Sequence, residues 1–437
     1  MRPPSRIVWL AGWLLAGCTA SVLGTGGQLT GPSKPARPAQ CTAVTDGDSI
    51  AALLKSAGEH DAFCLAPGSY PGPIEVPEGV TVWGPADAVI VSSGQGTTVR
   101  LASRSRLLGV TVDGAGGRFD LLDAAVKVEK ADDVDIEGVS IVKANFGILL
   151  EQAKRVTVRG NHVVGIGGSA LGLRGDGIRL WETYDSLIEA NLVERSRDLV
   201  VWYSSRNVLK DNVVRDSRYG THFMYSHHNR LEGSSYLGNE VGIFVMYSRG
   251  LVIEGNTLFD SSGAAGMGLG MKESGNITVR DNQLVHNTIG FFLDNSPLDV
   301  GDTNLFEGNE VRLGDVGVTF LSSTHDNQFK GNAFRDNHLP VKVESGGDAL
   351  KVVWEGNAFD DYVGYDLDDD GFGDIPYELS DLSNVLESRN GDLAFLRGTP
   401  AMALVSVAGH VVPLLAPRPV LRDLRPRLAP LEKRHAN

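Results

Sequence analysis

Four of the six methionines, Met224, Met246, Met267 and Met271, fall between residues 224 and 271, and His222, His227 and His228 sit among them. Thioether and imidazole are soft to borderline donors that suit copper(I). His222, Met224 and Met246 therefore form a candidate set for transient copper(I) contact. Methionine also fills irregular gaps in cores, so the chemistry depends on which way these side chains point. A harder set follows at Asp366, Asp368 and Asp370, with Gly371 and Asp374 behind it. Carboxylates at alternate residues before a turning glycine reproduce the first, third and fifth positions of a calcium loop. The twelfth position holds Tyr377 where the bidentate glutamate belongs, so Glu378 or Asp381 must substitute. The alternative is a solvated acidic turn.

The third reactive residue type is cysteine, of which there are three. Arg2 and Arg6 precede an apolar run, Ile7 to Ala16, that has the length of a signal-peptide core and is too short to span a bilayer. It ends Leu15-Ala16-Gly17-Cys18, which resembles a bacterial lipobox. Residues 1–17 are thus read as a lipoprotein signal peptide and Cys18 as the lipidated first mature residue, with a plain secretion signal as the alternative. Either way the chain is exported, and a lipid on Cys18 would hold it at a membrane in the periplasm. Residues 18–40, rich in Gly, Ser, Thr and Pro, form a flexible tether. Cys41 and Cys64 remain as a candidate disulfide in an oxidising compartment, since two thiols alone make a poor metal cage.

The elements that must position these groups come from an internal repeat. A small residue followed by Asn recurs at Asn161, Asn191, Asn212, Asn256, Asn282, Asn309, Asn332 and Asn357, with Ser234 in the missing slot. Each closes a short alternating strand such as VTVRGN or LVIEGN. Asn suits the corner because it tolerates a left-handed backbone and its amides can stack in a ladder. A second strand begins a constant interval upstream, after Gly147, Gly177, Gly220, Gly242 and Gly268, with Asp198 in the same slot. Asp198 and Asp176 are read as turn residues. Coils of roughly 24 residues rich in Val, Ile and Leu predict an all-β chain, a right-handed parallel β-helix running over 41–345. Helical periodicity from Asp48 to Ala57 supplies an N-terminal cap, and the chain ends in a C-terminal tail.

Side chains alternate along a strand. Counted from the glycine slot, Ile148/Leu150, Ile178/Leu180, Leu199/Val201, Thr221/Phe223, Ile243/Val245 and Leu269/Met271 belong to the core. Arg179/Trp181, Val200/Trp202, His222/Met224 and Phe244/Met246 then point outward. A solvated face carries Ser, Thr and Lys; a column of Trp181, Trp202, Met224, Phe244 and Met246 marks a partner-binding patch, with Trp181, Trp202 and Phe244 as its anchors. The alternative is a second small core covered by residues 167–175 or by the tail. Tyr203, Tyr225 and Tyr247, each followed by Ser, form a structural ring ladder at one corner. The net charge of −14 argues against a nucleic-acid partner.

Several segments go beyond a generic repeat: GDGIRLW (Gly175–Trp181), SRYGTHFMYSHHN (Ser217–Asn229), VGIFVMYSRGLVIEGN (Val241–Asn256), IGFFLDNS (Ile289–Ser296) and DDYVGYDLDDDGFGDIPY (Asp360–Tyr377), with LRGTPA opening the tail at Leu396. In these the chain resembles the NosD family of periplasmic β-helix proteins that serve nitrous oxide reductase maturation with an ABC transporter. The resemblance implies a non-enzymatic copper-delivery factor for the reductase's copper–sulfur centre. Its partners would be the transporter's membrane and ATPase subunits, a copper chaperone lipoprotein and nitrous oxide reductase. It also implies that residues 387–437, apolar then basic, dock on the membrane subunit, after a C-terminal coil at 346–386 that carries the calcium-like loop. The lipobox departs from the family's plain signal. A carbohydrate-binding protein, or a polysaccharide lyase or epimerase, is the competing class, since β-helices host many such proteins.

Overall fold

The computed structural model describes residues 34–45, 49–168, 170–322, 324–344, 347–380, 382, 386, 390–396, 399–412 and 418–428. The signal peptide, Cys18 and most of the tether lie outside the described residues. The chain winds into a parallel β-helix of three sheets holding 14, 12 and 13 strands, as the repeat spacing predicts. Each coil adds one short strand to every sheet, so residues about two dozen apart in sequence stack about 4.8 Å apart in space.

The first and third residues after the glycine slot face inward and are fully buried from Ile148 through Leu293. Their register is continuous: Ile148 pairs with Ile178, Ile178 with Leu199, and Ile243 with Leu269. The glycine slot is tight because core side chains of its own coil, and at Gly220 the Gly242 carbonyl of the next coil, press on it. A Cβ at Gly220 would lie 2.3 Å from the Tyr236 ring, and one at Gly177 2.4 Å from Val193.

Each ladder side chain accepts from the coil before it. Asn191 Oδ1 takes both the backbone N–H of Asn161 at 3.0 Å and its Nδ2 at 2.9 Å, and the pattern continues to Asn357. At Ser234 the hydroxyl accepts from Asn212 N–H instead. The left-handed residue is the one before the Asn (Gly160, Ala190, Asp211, Asp281), not the Asn itself. The small or short polar residue therefore makes the corner and the Asn fills it with hydrogen bonds.

Both ends are capped. At the start, helix Ile50–Lys55, with Ser49 as N-cap, buries Ile50 and Leu54 over the first coil, and a disulfide joins Cys41 to Cys64. Residues 34–37 lie along the first coils, where the Pro35 carbonyl accepts from Trp83 Nε1 at 3.1 Å. At the other end the coils continue past residue 345 to Phe359. Leu421–Asp423 then returns and pairs antiparallel with Tyr377–Leu379. Asp423, fully buried, accepts from Asn357 N and Nδ2, both at 2.9 Å, and so terminates the ladder. Residues 418–428, counted with a docking tail in the sequence, thus form part of the solenoid's own cap. Helix Pro400–Val411, capped by Thr399, leaves Leu404, Val407 and Val411 exposed. No described helix is long and apolar enough to cross a membrane.

Candidate functional site

The outward column exists in register. Trp181 pairs with Trp202, Trp202 with Met224, and Met224 with Met246; beside them run Arg179, Val200, His222 and Phe244. The two files differ in burial. Val200 is fully buried and Arg179 and His222 nearly so, whereas Phe244 at the end of that file and Trp181, Trp202, Met224 and Met246 in the other are half-buried. Cover comes from within the sheet. The Arg179 guanidinium lies 5.0 Å from the Trp181 ring and 4.9 Å from that of Trp202, and the Tyr219 ring packs 5.0 Å from His222 and 5.4 Å from Phe244. Residues 167–175, the alternative cover for the patch, leave Leu173 exposed. Gly270 makes room for Phe244, since a Cβ there would meet that ring at 2.5 Å. Further toward the N-terminus, Leu149 does join a small second core with Ala124 and Phe146.

His222 is the centre of the arrangement. Its side chain is 7% exposed, and Nε2 stands 3.3 Å from Met246 Sδ. On its other side Nδ1 faces Asp198 Oδ2 at 3.8 Å. Met224 lies in register beside Met246. A nitrogen and a sulfur donor held this close, the one buried and the other half-buried, can share a soft cation.

Asp198 and Asp176, read as turn residues in the sequence, are fully buried in a charged network. Arg197 forks onto Asp176 at 2.8 and 2.9 Å, and Arg179 reaches the same carboxylate at 3.5 Å. Arg218 forks onto Asp198, with Nε at 3.0 Å, and the backbone N–H of Tyr219 donates to it at 3.1 Å. Burial pushes the Asp176 carboxyl up. Burial works the same way on Asp198, but the His222 ring and the Arg218 guanidinium beside it hold its carboxyl below the ordinary value. A β-bulge opposes Asp198 to Tyr219 while Val200 pairs with His222. Bulges re-aim side chains, and this one departs from the glycine slot that neighbouring coils keep. The Asp in place of Gly was the visible signal of a special site.

Tyr203, Tyr225 and Tyr247 stack at 5.3 and 4.7 Å with nearly parallel rings, all at positive φ. Trp181 meets Tyr203 at 5.0 Å, so ladder and column form one aromatic surface. The acidic loop lies elsewhere, against the returning C-terminal strand. Asp366, Asp368 and Asp370 present oxygens within reach of one another, while Asp374 is engaged by the Leu367 N–H at 2.7 Å. Arg425 already occupies Asp370 at 2.5 Å, and Asp366 accepts from the N–H groups of Asp370 and Gly371.

Residues 164–364, which contain the whole soft column, match the family model described as periplasmic copper-binding protein (NosD). A relative from Pseudomonas aeruginosa, described as a probable ABC transporter binding protein NosD, is 29% identical over 406 residues, covering 88% of this chain and 92% of its own length. Another of the same description, from Stutzerimonas stutzeri, is 27% identical over 412 residues, with 88% and 91% covered. Among solved structures, the catalytic unit of a GH87 α-1,3-glucanase from Streptomyces thermodiastaticus matches with a TM-score of 0.61 at 16% identity, over 76% of this chain and 71% of that one. The A-module of mannuronan C-5 epimerase AlgE6 from Azotobacter vinelandii gives 0.54 at 16% identity, over 70% and 93%. At such identities the likeness speaks to the β-helix fold alone.

Proposed function

Taking the chain as a NosD-family protein, we propose that it is a non-enzymatic periplasmic factor that carries copper(I) as cargo on the outward face of its β-helix, in association with an ABC transporter. His222 and Met246 bind the ion, with Met224 beside them, and the Trp181–Trp202–Phe244 surface receives the protein that hands copper over or takes it on. The observation that carries this reading is the 3.3 Å approach of His222 Nε2 to Met246 Sδ at the foot of that surface. Delivery to the copper–sulfur centre of nitrous oxide reductase, from a copper chaperone lipoprotein, is the finer form of the proposal. A lipid on Cys18 holds the protein at the membrane, and the exposed face of helix Pro400–Val411 docks on the transporter's membrane subunit. The Asp366–Asp368–Asp370 loop takes calcium as a structural ion.

Two observations weigh against a lyase or epimerase. The carboxylates beside the column are engaged: Asp176 and Asp198 are buried and neutralised by arginines, and Glu151, in register with Trp181, is paired with Lys127 at 2.8 Å, so none stands free to exchange protons with a substrate. Sugar binding by ring stacking is also disfavoured, because Arg179 lies over Trp181 and Trp202, and Tyr225 is stacked by Tyr203 on one side and Tyr247 on the other. The deciding experiment is anaerobic copper(I) titration of the mature protein against a competing chelator, with and without the cognate chaperone. Stoichiometric binding that His222→Ala/Met224→Ala/Met246→Ala abolishes supports the reading. Absence of copper uptake in every arm, or Trp202-dependent binding on a glycan array, sinks it.

A further inference from the structure

We propose that Asp198 is the positioning residue that fixes the tautomer of His222, placing the proton on Nδ1 and leaving the Nε2 lone pair turned toward Met246 Sδ. The inference deepens the copper reading above and rests on it for its purpose, but its structural content can be tested without metal.

A neutral imidazole carries one proton, and which nitrogen holds it is set by what the other faces. His222 Nδ1 is buried and forms no hydrogen bond with any described residue, yet the Asp198 carboxylate stands 3.8 Å from it. If Nδ1 were bare, a lone pair would face a buried carboxylate oxygen at low dielectric, which is unfavourable. With the proton on Nδ1 the contact becomes attractive. Nε2 must then be the bare nitrogen, and it faces the lone pairs of a thioether at 3.3 Å. Two acceptors facing each other gain nothing from one another and gain from a soft cation between them.

The carboxylate is itself immobilised for this role. Arg218 Nε and the Tyr219 N–H both hold Oδ1, at 3.0 and 3.1 Å. The terminal nitrogen of Arg218 holds Oδ2, the oxygen nearest the imidazole. The imidazole has little freedom to turn away, since Trp202 and Tyr219 meet it edge-on at 5.7 and 5.0 Å and the tilted Phe244 ring lies 6.1 Å away. The arrangement is carboxylate, histidine, open donor: the order in which outer partners orient a metal-ligating ring. Asp176, one coil earlier, is also fully buried and paired with arginine, through Arg197 and Arg179, and so supplies an internal control for mere structural loss.

The test is long-range 1H–15N correlation spectroscopy of the metal-free, 15N-histidine-labelled mature protein, with His222 assigned by loss of its signals in His222→Gln. The expected result is the Nδ1–H tautomer in the wild type. Asp198→Asn should shift it toward Nε2–H or a mixture and weaken copper(I) binding about 10- to 100-fold, whereas Asp176→Asn should leave the tautomer unchanged. An Nε2–H tautomer in the wild type overturns the proposal, even if Asp198→Asn fails to fold. So does an equal tautomer change in Asp176→Asn, or unchanged copper affinity in a folded Asp198→Asn protein. Should the wild type show the Nδ1–H form, controlled by Asp198, yet bind no copper, the tautomer assignment stands and the copper reading falls.

Discussion

The chain carries two sets of potential metal ligands, and they are built in opposite ways. His222, Met224 and Met246 come from adjacent coils and meet on a sheet whose strands are pinned by backbone pairing and by a buried side-chain ladder. Their surroundings are aromatic and largely dry, and the nearby charges are paired inward. Asp366, Asp368 and Asp370 come from one exposed turn, and part of their oxygen capacity is already taken by backbone N–H groups and by Arg425. Soft, weakly hydrated ligands need a scaffold to hold them together, because nothing local draws them into one place. Carboxylates on a turn are gathered by the chain itself, and desolvation among them, followed by repulsion from Asp370, Asp374 and Asp366, pushes the Asp368 carboxyl up. The soft set is therefore rigid and available, while the hard set is local and half-satisfied.

The largest effect should come from the soft set. His222→Ala or Met246→Ala is expected to lower copper(I) affinity by about 100-fold or more, beyond the usual loss of an outer partner, with calcium response unchanged; chelator competition reads both. If either variant keeps wild-type affinity, the contrast between the two sites is wrong. Next comes the scaffold. Asn256→Ala removes the acceptor of the Ser234 N–H and leaves the Leu231 carbonyl and Asn282 Oδ1 without its amide, which should cost about 2–3 kcal/mol in denaturant unfolding. Asp368→Asn in the exposed turn should cost far less, and equal losses would dissolve the distinction.

Gly270→Ala sets a methyl against the Phe244 ring and should destabilise by about 1–2 kcal/mol; the same substitution at Gly371 would strain only a positive-φ turn with open space around it. Arg425→Gln frees Asp370 and should tighten calcium binding a few-fold, read by calorimetry. No change in that variant would mean that the turn is not a cation site. The smallest effect concerns pH. Burial pushes the His227 imidazole down, so the unfolded chain takes up a proton before the folded one. Its contribution is full above the ordinary histidine value and lost as pH falls through that value toward the folded one. A small drop in thermal midpoint between pH 7.5 and 5.5, flattened in His227→Gln, is expected.

The coil period, the inward face and the N-terminal cap were legible in the sequence because each depends on alternation or on a residue type at a fixed interval. Ile148, Leu180 and Val245 are buried because each stands at an inward parity counted from the glycine slot, and the recurring Asn announces a ladder wherever the solenoid stacks. The acidic turn was legible too, since its ligands are two residues apart. Tertiary structure alone decided three other things. It turned Leu421–Asp423 back to finish the ladder with Asp423, a contact across more than sixty residues that no period encodes. It buried Asp176 and Asp198 among arginines from neighbouring coils, pairings between side chains that the repeat count, which placed both in turns, does not encode. It also buried Arg179, Val200 and His222 while leaving Phe244, the tryptophans and the methionines of the outward column half-buried, since cover depends on how side chains from neighbouring coils lie on one another. Periodicity fixes which face of a strand a residue takes; only packing between coils fixes how much of that face solvent, or a copper ion, can reach.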